Sequence, residues 1–182
     1  RAMEFNGDPG LMEQVDRALE KNGNLVAGHV FKAKLLMGLE NHDEARAEIS
    51  KALAVNPASL EALSVLAASH YLGGETGQYE GIRDQVGVLS PGYAGLYNDI
   101  AELSVQSRKY REASRFAAEA IEVDAHSWRA YGILGMNQLR LGQIEEGSAN
   151  LETAFEGDPY NVWFFNTLDL LDTFENYEVS DD

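Results

Sequence analysis

Small and apolar residues recur along this chain at helical spacing, and the pattern is interrupted every 34 residues. Similar breaks occur at Pro57, Pro91 and Pro159, in AVNPAS, VLSPGY and EGDPYN. The first two prolines are 34 residues apart, and the third lies 68 residues further on, with EVDAHS and its Ala125 midway. Self-similarity at this period predicts a stacked array of supersecondary units.

Four windows of the sequence align on this period, namely 26–59, 60–93, 94–127 and 128–161. Small residues fill fixed columns of the alignment, the clearest being Ala33, Ala67, Ala101 and Gly135, and then Ala52, Val86, Ala120 and Ala154. Small residues let two helix backbones approach closely, and bulky neighbours fill the gaps between them. Each window also has a polar or Gly-rich break near its middle. Each therefore predicts a helix, a short turn and a second helix.

The pattern extends beyond the four windows at both ends. Residues 11–23 match the second helix of an earlier, partial repeat, and residues 162–177 predict a helix that caps the array or joins it to another domain. The apolar stripe of this last helix, expected to pack on window 128–161, consists of Phe165, Leu168, Leu171 and Phe174. We expect one domain over residues 1–182.

These columns and their spacing resemble the tetratricopeptide repeat. The resemblance covers about residues 26–161 and extends outward at both ends. It implies an all-α fold, a right-handed α-solenoid of helix-turn-helix repeats with a C-terminal capping helix. Such a fold is a general scaffold, so the resemblance does not name a function.

In this family the first helices of successive repeats line the concave face of the superhelix, and ligands often lie there. The residues of this chain that occupy the matching columns of the alignment are the candidates for that face. Seven of them are candidate partner-binding residues: Lys34, Met37, Tyr71, Asn98, Glu102, Arg129 and Met136. Met and Tyr side chains suit apolar anchors, while the charged ones offer polar handles. The arrangement with which some members clamp a peptide's terminal carboxylate is not reproduced. The alternative is that these residues only face solvent.

A second candidate surface lies on the last predicted helix. Trp163, Leu170 and Tyr177 recur every seven residues, on a different face from the packing stripe. A simple cap should be polar outside, so large apolar groups there indicate a further covering surface. We expect either another domain or a homodimer formed through the C-terminal helix.

The segment DPYNVWFFNTLDLLDTFENYE carries a narrower resemblance. It is similar to the junction in bacterial multidomain proteins where tetratricopeptide repeats run into a peptidase-MA-like zinc metallopeptidase domain, and the likeness covers about residues 80–182. It implies a non-catalytic region that positions a substrate or partner for the protease, and it favours an extracytoplasmic location. The zinc motif itself is not in this chain.

Composition narrows the classes of partner. The chain has 182 residues, 14 basic and 30 acidic, with a formal charge of −16. That balance argues against nucleic acid and anionic membrane surfaces, which both attract Lys and Arg clusters. The sequence has no apolar run long enough for membrane insertion. Because cysteine is absent, disulfides and thiolate metal sites are excluded.

No constellation of catalytic residues is visible. The histidines share no helix face at metal-ligand spacing, and neither HExxH nor G-x-S-x-G occurs. His29 falls in a column of large apolar residues, which favours a core or boundary position over a ligand role. We therefore predict a non-enzyme without metal or cofactor.

Three hypotheses about function remain open. The chain is an interaction scaffold that binds a peptide or a partner domain, a positioning region of a larger zinc metallopeptidase, or a self-associating structural module. The residues of the concave face support the interaction scaffold, the junction segment supports the metallopeptidase region, and the outer aromatic stripe supports the self-associating module.

Overall fold

A computed structural model describes residues 9–175, in which ten helices follow one another without any strand. Their bounds are α1 Pro9–Lys21, α2 Val26–Gly38, α3 His42–Val55, α4 Leu60–Leu72, α5 Thr76–Leu89, α6 Gly95–Gln106, α7 Tyr110–Val123, α8 Trp128–Arg140, α9 Ile144–Gly157 and α10 Val162–Glu175. Helices α2 to α9 form four antiparallel pairs, α1 precedes them and α10 follows. The expected all-α solenoid is confirmed.

The turn inside each helix pair has one recurring geometry. A residue with positive φ follows the first helix, and the next N–H donates back to a carbonyl five residues earlier. This arrangement satisfies carbonyl groups that the helix end leaves unpaired. The four positive-φ positions are Glu40, Gly74, Arg108 and Gly142, with φ of 63°, 75°, 58° and 80°. Glycine adopts this conformation without a steric penalty, whereas Glu40 and Arg108 do not.

The small-residue columns lie where helices meet. Ala33, Ala67 and Ala101 are fully buried, as are Ala52, Ala120 and Ala154 in the second helices. One apolar core runs from α2 to α7, and a separate core joins α8, α9 and α10. The close approach of backbones that the columns predict is therefore present along the array.

Helix α5 is held by few side chains. It buries Tyr79 and Val86, whereas the second helix of the next pair, α7, buries four residues. Gly81 and Gly87 lie inside α5, and the helix runs through both without a break. A Cβ added at either glycine meets no atom within 4 Å.

Replacing Gly81 and Gly87 with alanine is expected to stabilise the protein. Each glycine in a helix interior costs about 0.5–1 kcal/mol relative to alanine, and neither new methyl group would clash. The double variant should raise the free energy of unfolding by about 1–2 kcal/mol in urea denaturation. Equal or lower stability would show that α5 needs the flexibility of glycine.

The packed face of α10 differs from the expected stripe at both ends. Phe164 is buried, while Phe165 and Phe174 are largely exposed. Phe164 packs with Leu151 and Ala154 of α9. Its ring lies on Gly132 of α8, where any Cβ would collide with it. The absence of a side chain at position 132 thus leaves the space that the Phe164 ring occupies.

Candidate partner-binding cleft

A cleft of about 890 Å³ lies between α6, α8 and the start of α10. Apolar side chains line its interior, among them Val105, Ile133, Met136, Trp128, Trp163 and Phe164. Polar and charged side chains also line it, namely Glu102, Gln106, Arg108, Arg129, Asn137, Arg140, Asp158 and Asn161. A cleft of this size with convergent polar groups is typical of a ligand site.

The cleft joins parts of the two surfaces that the sequence indicated separately. Glu102, Arg129 and Met136 come from the predicted concave face, and Trp163 comes from the predicted docking face of the last helix. Because α10 follows α9 at the end of the array, its first turn closes one side of the groove formed by the first helices.

A buried carboxylate organises the charges beside the cleft. Asp99 of α6 is 3% exposed and accepts hydrogen bonds from Lys34 Nζ and from an Arg129 guanidinium N–H, both at 2.7 Å. Arg129 Nε also donates to Glu102 Oε1 at 2.6 Å. Lys34, Glu102 and Arg129, which were predicted as binding residues, thus lie together around Asp99, which was not predicted.

The pairing keeps Arg129 charged. Burial acts to lower the pKa of its guanidinium, but the hydrogen bond to Glu102 and the charges of Glu102 and Asp99 outweigh burial and raise the pKa. The side chain is held by two carboxylates on α6, so its position is fixed by folding. Arg129 therefore shapes the wall of the cleft and has less capacity for a ligand than an unpaired arginine.

Met37, Asn98 and Tyr71, which were also predicted as binding residues, lie outside the lining of the cleft. Met37 and Asn98 are 3% and 5% exposed. Asn98 Nδ2 donates to Ser127 Oγ at 2.9 Å. Tyr71 packs edge-on against Phe116 of α7, with ring centroids 4.6 Å apart, so it faces the second helices and not the cleft.

The predicted docking face of the last helix is exposed where the structure describes it. Trp163 and Leu170 are 43% and 54% exposed, and Tyr177 lies outside the described residues. Val162, Phe165 and Phe174 also expose large parts of their side chains. Of the two described residues of this face, Trp163 lines the cleft and Leu170 does not.

A second polar cluster lies at the opposite end of the array. His29 Nδ1 and Glu48 Oε2 are 2.6 Å apart, and His29 Nε2 lies 2.8 Å from the Gly23 carbonyl. Burial acts to raise the pKa of Glu48, but hydrogen bonds from Lys51 and His29 lower it overall. His29 thus has a structural role at the boundary of the first helix pair.

The part of the chain within residues 9–175 contains no group of three or more His, Asp or Glu side chains arranged to hold a metal ion. Within the same range, no helix has the length and apolar character needed to cross a bilayer.

Comparison with known families and solved structures identifies the type of fold. Residues 27–59 match the family model described as Tetratricopeptide repeat. TTC0263, a thermophilic repeat protein of Thermus thermophilus, superposes with a TM-score of 0.59 at 17% identity, over 87% of each chain. The fold is a tetratricopeptide-repeat solenoid.

Two further solved structures agree with this assignment. A tetratricopeptide repeat protein of Parabacteroides merdae ATCC 43184 superposes with a TM-score of 0.59 at 19% identity, covering 87% of this chain and 62% of that one. The pilF protein of Pseudomonas aeruginosa gives 0.53 at 17% identity, over 84% and 70%. A search of curated proteins finds no match. Tetratricopeptide repeats act generally as non-catalytic scaffolds for protein interaction.

Proposed function

We propose that this tetratricopeptide-repeat chain is a non-catalytic interaction scaffold that binds a peptide segment of a partner protein in the cleft between α6, α8 and α10. The observation that supports this proposal most strongly is the apolar cleft itself, which brings Met136 and Trp163 together with ordered charges. Aromatic and Met side chains in a concave site are frequent anchors for a bound segment.

The concave shape of the site suits a peptide segment better than the flat surface of a domain. The cleft is concave, and its lining comes from three helices separated by up to some sixty residues in sequence. Peptides bind such grooves by placing alternate or periodic side chains into them. The inner lining offers an apolar contact area, and the paired charges of Glu102 and Arg129 form part of its wall.

The test uses random 12-residue peptides displayed on phage and selected on the whole protein. Peptides enriched in this way are labelled, and their affinities are measured by fluorescence anisotropy. Trp163→Ala should weaken binding by about 2 kcal/mol, roughly 30-fold, because it removes an aromatic anchor. Replacing Arg129 would be a poorer test because that residue also holds the buried Asp99.

Phe174→Ala is the matched control. Phe174 lies on the same helix and is 68% exposed, but it does not line the cleft. Binding to this variant should equal that of the unchanged protein. An equal loss of affinity in both variants, or no loss of affinity in Trp163→Ala, would contradict the proposal that the peptide binds in the cleft.

A second candidate is self-association through α10, favoured by its exposed apolar side chains. More than half of each of the side chains of Val162, Phe165, Leu170 and Phe174 is exposed, which is more apolar exposure than a simple cap requires. We propose that two copies of the chain pair through this surface. Light scattering should show a mass that rises with concentration and returns to that of one chain in Leu170→Ala. A mass independent of concentration would contradict it.

The narrower resemblance to a metallopeptidase junction stays a prediction. The comparisons described above show tetratricopeptide repeats and do not show this junction. As a third alternative, the chain would position a substrate for a protease domain.

A further inference from the structure

Four cations without a carboxylate partner lie around the turn between α6 and α7 and at the end of α8, and two of them line the cleft. Arg108, Lys109 and Arg111 surround the start of α7, and Arg140 ends α8. None of the four forms an ion pair with a carboxylate anywhere in residues 9–175. Other cations in the same range, such as Arg46, do form such pairs. In a chain with a formal charge of −16, this local excess of positive charge is unusual.

Two of these cations, Arg108 and Arg140, line the cleft itself. The Arg140 guanidinium lies over the Tyr110 ring, 5.5 Å from its centroid, and donates to Asn137 Oδ1 at 3.0 Å. These contacts orient the group without neutralising its charge. A guanidinium has five N–H donors, so several stay available to a ligand.

The backbone of Arg108 has a conformation that glycine adopts more easily. Arg108 occupies the positive-φ position of its turn, at 58°, where two of the four turns have Gly74 and Gly142. A residue with a side chain is disfavoured in this conformation. Glu40 has the same conformation at the equivalent turn, so this conformation alone assigns no role to Arg108, and its place in the lining of the cleft carries the argument.

The carboxylates of the cleft do not satisfy these cations. Glu102 is paired with Arg129, and Asp158 Oδ2 accepts a long hydrogen bond from Asn161 at 3.4 Å. The apolar lining, including Ile133 and Met136, lies in the same cleft as the two unpaired arginines. A ligand with apolar and negatively charged groups close together would complement both.

Building on the proposed function, we propose that the cleft binds an acidic segment of a partner protein. An aromatic or aliphatic side chain of that segment contacts Met136 and Trp163, and its Asp or Glu carboxylates pair with Arg108 and Arg140. Arginine suits this role because its planar donors bind a carboxylate through two parallel hydrogen bonds. The remaining acidic surface does not prevent such binding, because charges beyond about 8 Å are largely screened at physiological ionic strength.

The peptides selected on phage test the charge requirement directly. Enriched sequences should place Asp or Glu near an aromatic or aliphatic residue. Arg108→Glu combined with Arg140→Glu should weaken their binding at least about tenfold, because each reversed charge repels a carboxylate. Replacing the peptide's acidic residues with lysine should restore binding to this variant. The control pair, Arg17→Glu with Lys21→Glu on α1, changes the net charge equally and should leave the affinity unchanged.

A second variant separates binding from folding. Arg108→Gly should raise the denaturation midpoint, because glycine suits the positive φ, while it weakens binding of the acidic peptide. Glu40→Gly is the matched control, since Glu40 occupies the same turn position in the first helix pair. It should raise the midpoint without affecting binding. A purely structural role for Arg108 would leave both variants with unchanged affinity, and that result would overturn the proposal.

The outcomes distinguish this inference from the proposed function. If the enriched peptides depend on Trp163 but are neutral or basic, the scaffold proposal stands and the acidic partner is wrong. If no enriched peptide depends on any cleft residue, both proposals fail. Binding of a phosphoserine peptide where the matching Asp and Glu peptides do not bind would also overturn the acidic-segment proposal.

Discussion

Replacing Gly135 with alanine is expected to lower the free energy of unfolding by about 2 kcal/mol. A Cβ at this position would lie 2.8 Å from the Gly147 carbonyl oxygen and 3.0 Å from the Leu151 backbone nitrogen. Backbone atoms cannot rotate out of the way as a side chain can, so α8 and α9 must move apart. Over-packing costs about 3 kcal/mol at its upper range, and the better helix propensity of alanine returns up to about 1 kcal/mol.

The same substitution at Gly81 is the control, because there the added methyl group meets open space. Urea denaturation of the two single variants should therefore give changes of opposite sign. If Gly135→Ala were neutral, α8 and α9 would not approach as closely as the structure shows. Gly135→Leu should cost about 3 kcal/mol or more, since a larger side chain separates the helices further.

Asp99→Ala is expected to destabilise the protein by about 3 kcal/mol. The buried carboxylate accepts hydrogen bonds from Lys34 and Arg129, which come from helices on either side of α6. Without it, Lys34 loses its carboxylate partner and Arg129 keeps only Glu102. Hydrogen bonds to charged groups contribute about 1.5–3 kcal/mol each, and part of the loss is recovered because both cations reach solvent.

An exposed ion pair provides the comparison for Asp99. Glu13 and Arg17 form an i, i+4 pair on α1 with side chains 64% and 67% exposed. Glu13→Ala should cost about 0.5 kcal/mol or less, because solvent and salt screen such pairs. Similar costs for the two variants would mean that the Asp99 network contributes no more than a surface contact. A double-mutant cycle with Lys34→Ala would measure the coupling across α2 and α6.

The helix array could be predicted from local pattern because each helix pair repeats the same packing. Ala33, Ala67 and Ala101 identified the contacts between helices, and these residues are buried as expected. The hydrophobic pattern could not predict which phenylalanine of α10 faces the core, because this depends on the missing side chain at Gly132. Leu168 packs as expected, and Phe164, four residues before it, takes the place that the pattern gave to Phe165.

The site was harder to predict because it depends on contacts between distant helices. Column alignment placed Met37 and Asn98 on the concave face, but both side chains are buried, Met37 with its sulfur beside His42 and Asn98 donating to Ser127. Asp99 was missed although the sequence contains a signal for it. The equivalent positions in the other windows are apolar, namely Phe31, Val65 and Ile133. A lone acid in an apolar column indicates a buried, paired carboxylate.

The basic cluster at the cleft was also present in the sequence, as SRKYR at residues 107–111 within a strongly acidic chain. Its relation to Arg140 could not be seen there, because it arises when the start of α7 meets the end of α8. The contact between Arg140 and the Tyr110 ring makes that relation visible.

The central claim, that a partner segment occupies the cleft, is tested most directly by protection of a single thiol. The chain has no cysteine, so Val105→Cys places one reactive group in the cleft and Val88→Cys places one on the exposed side of α5. The rate of alkylation is measured with and without a saturating selected peptide. We expect the peptide to slow alkylation at position 105 at least about tenfold and to leave position 88 unchanged. Equal rates at position 105 with and without bound peptide would contradict the account.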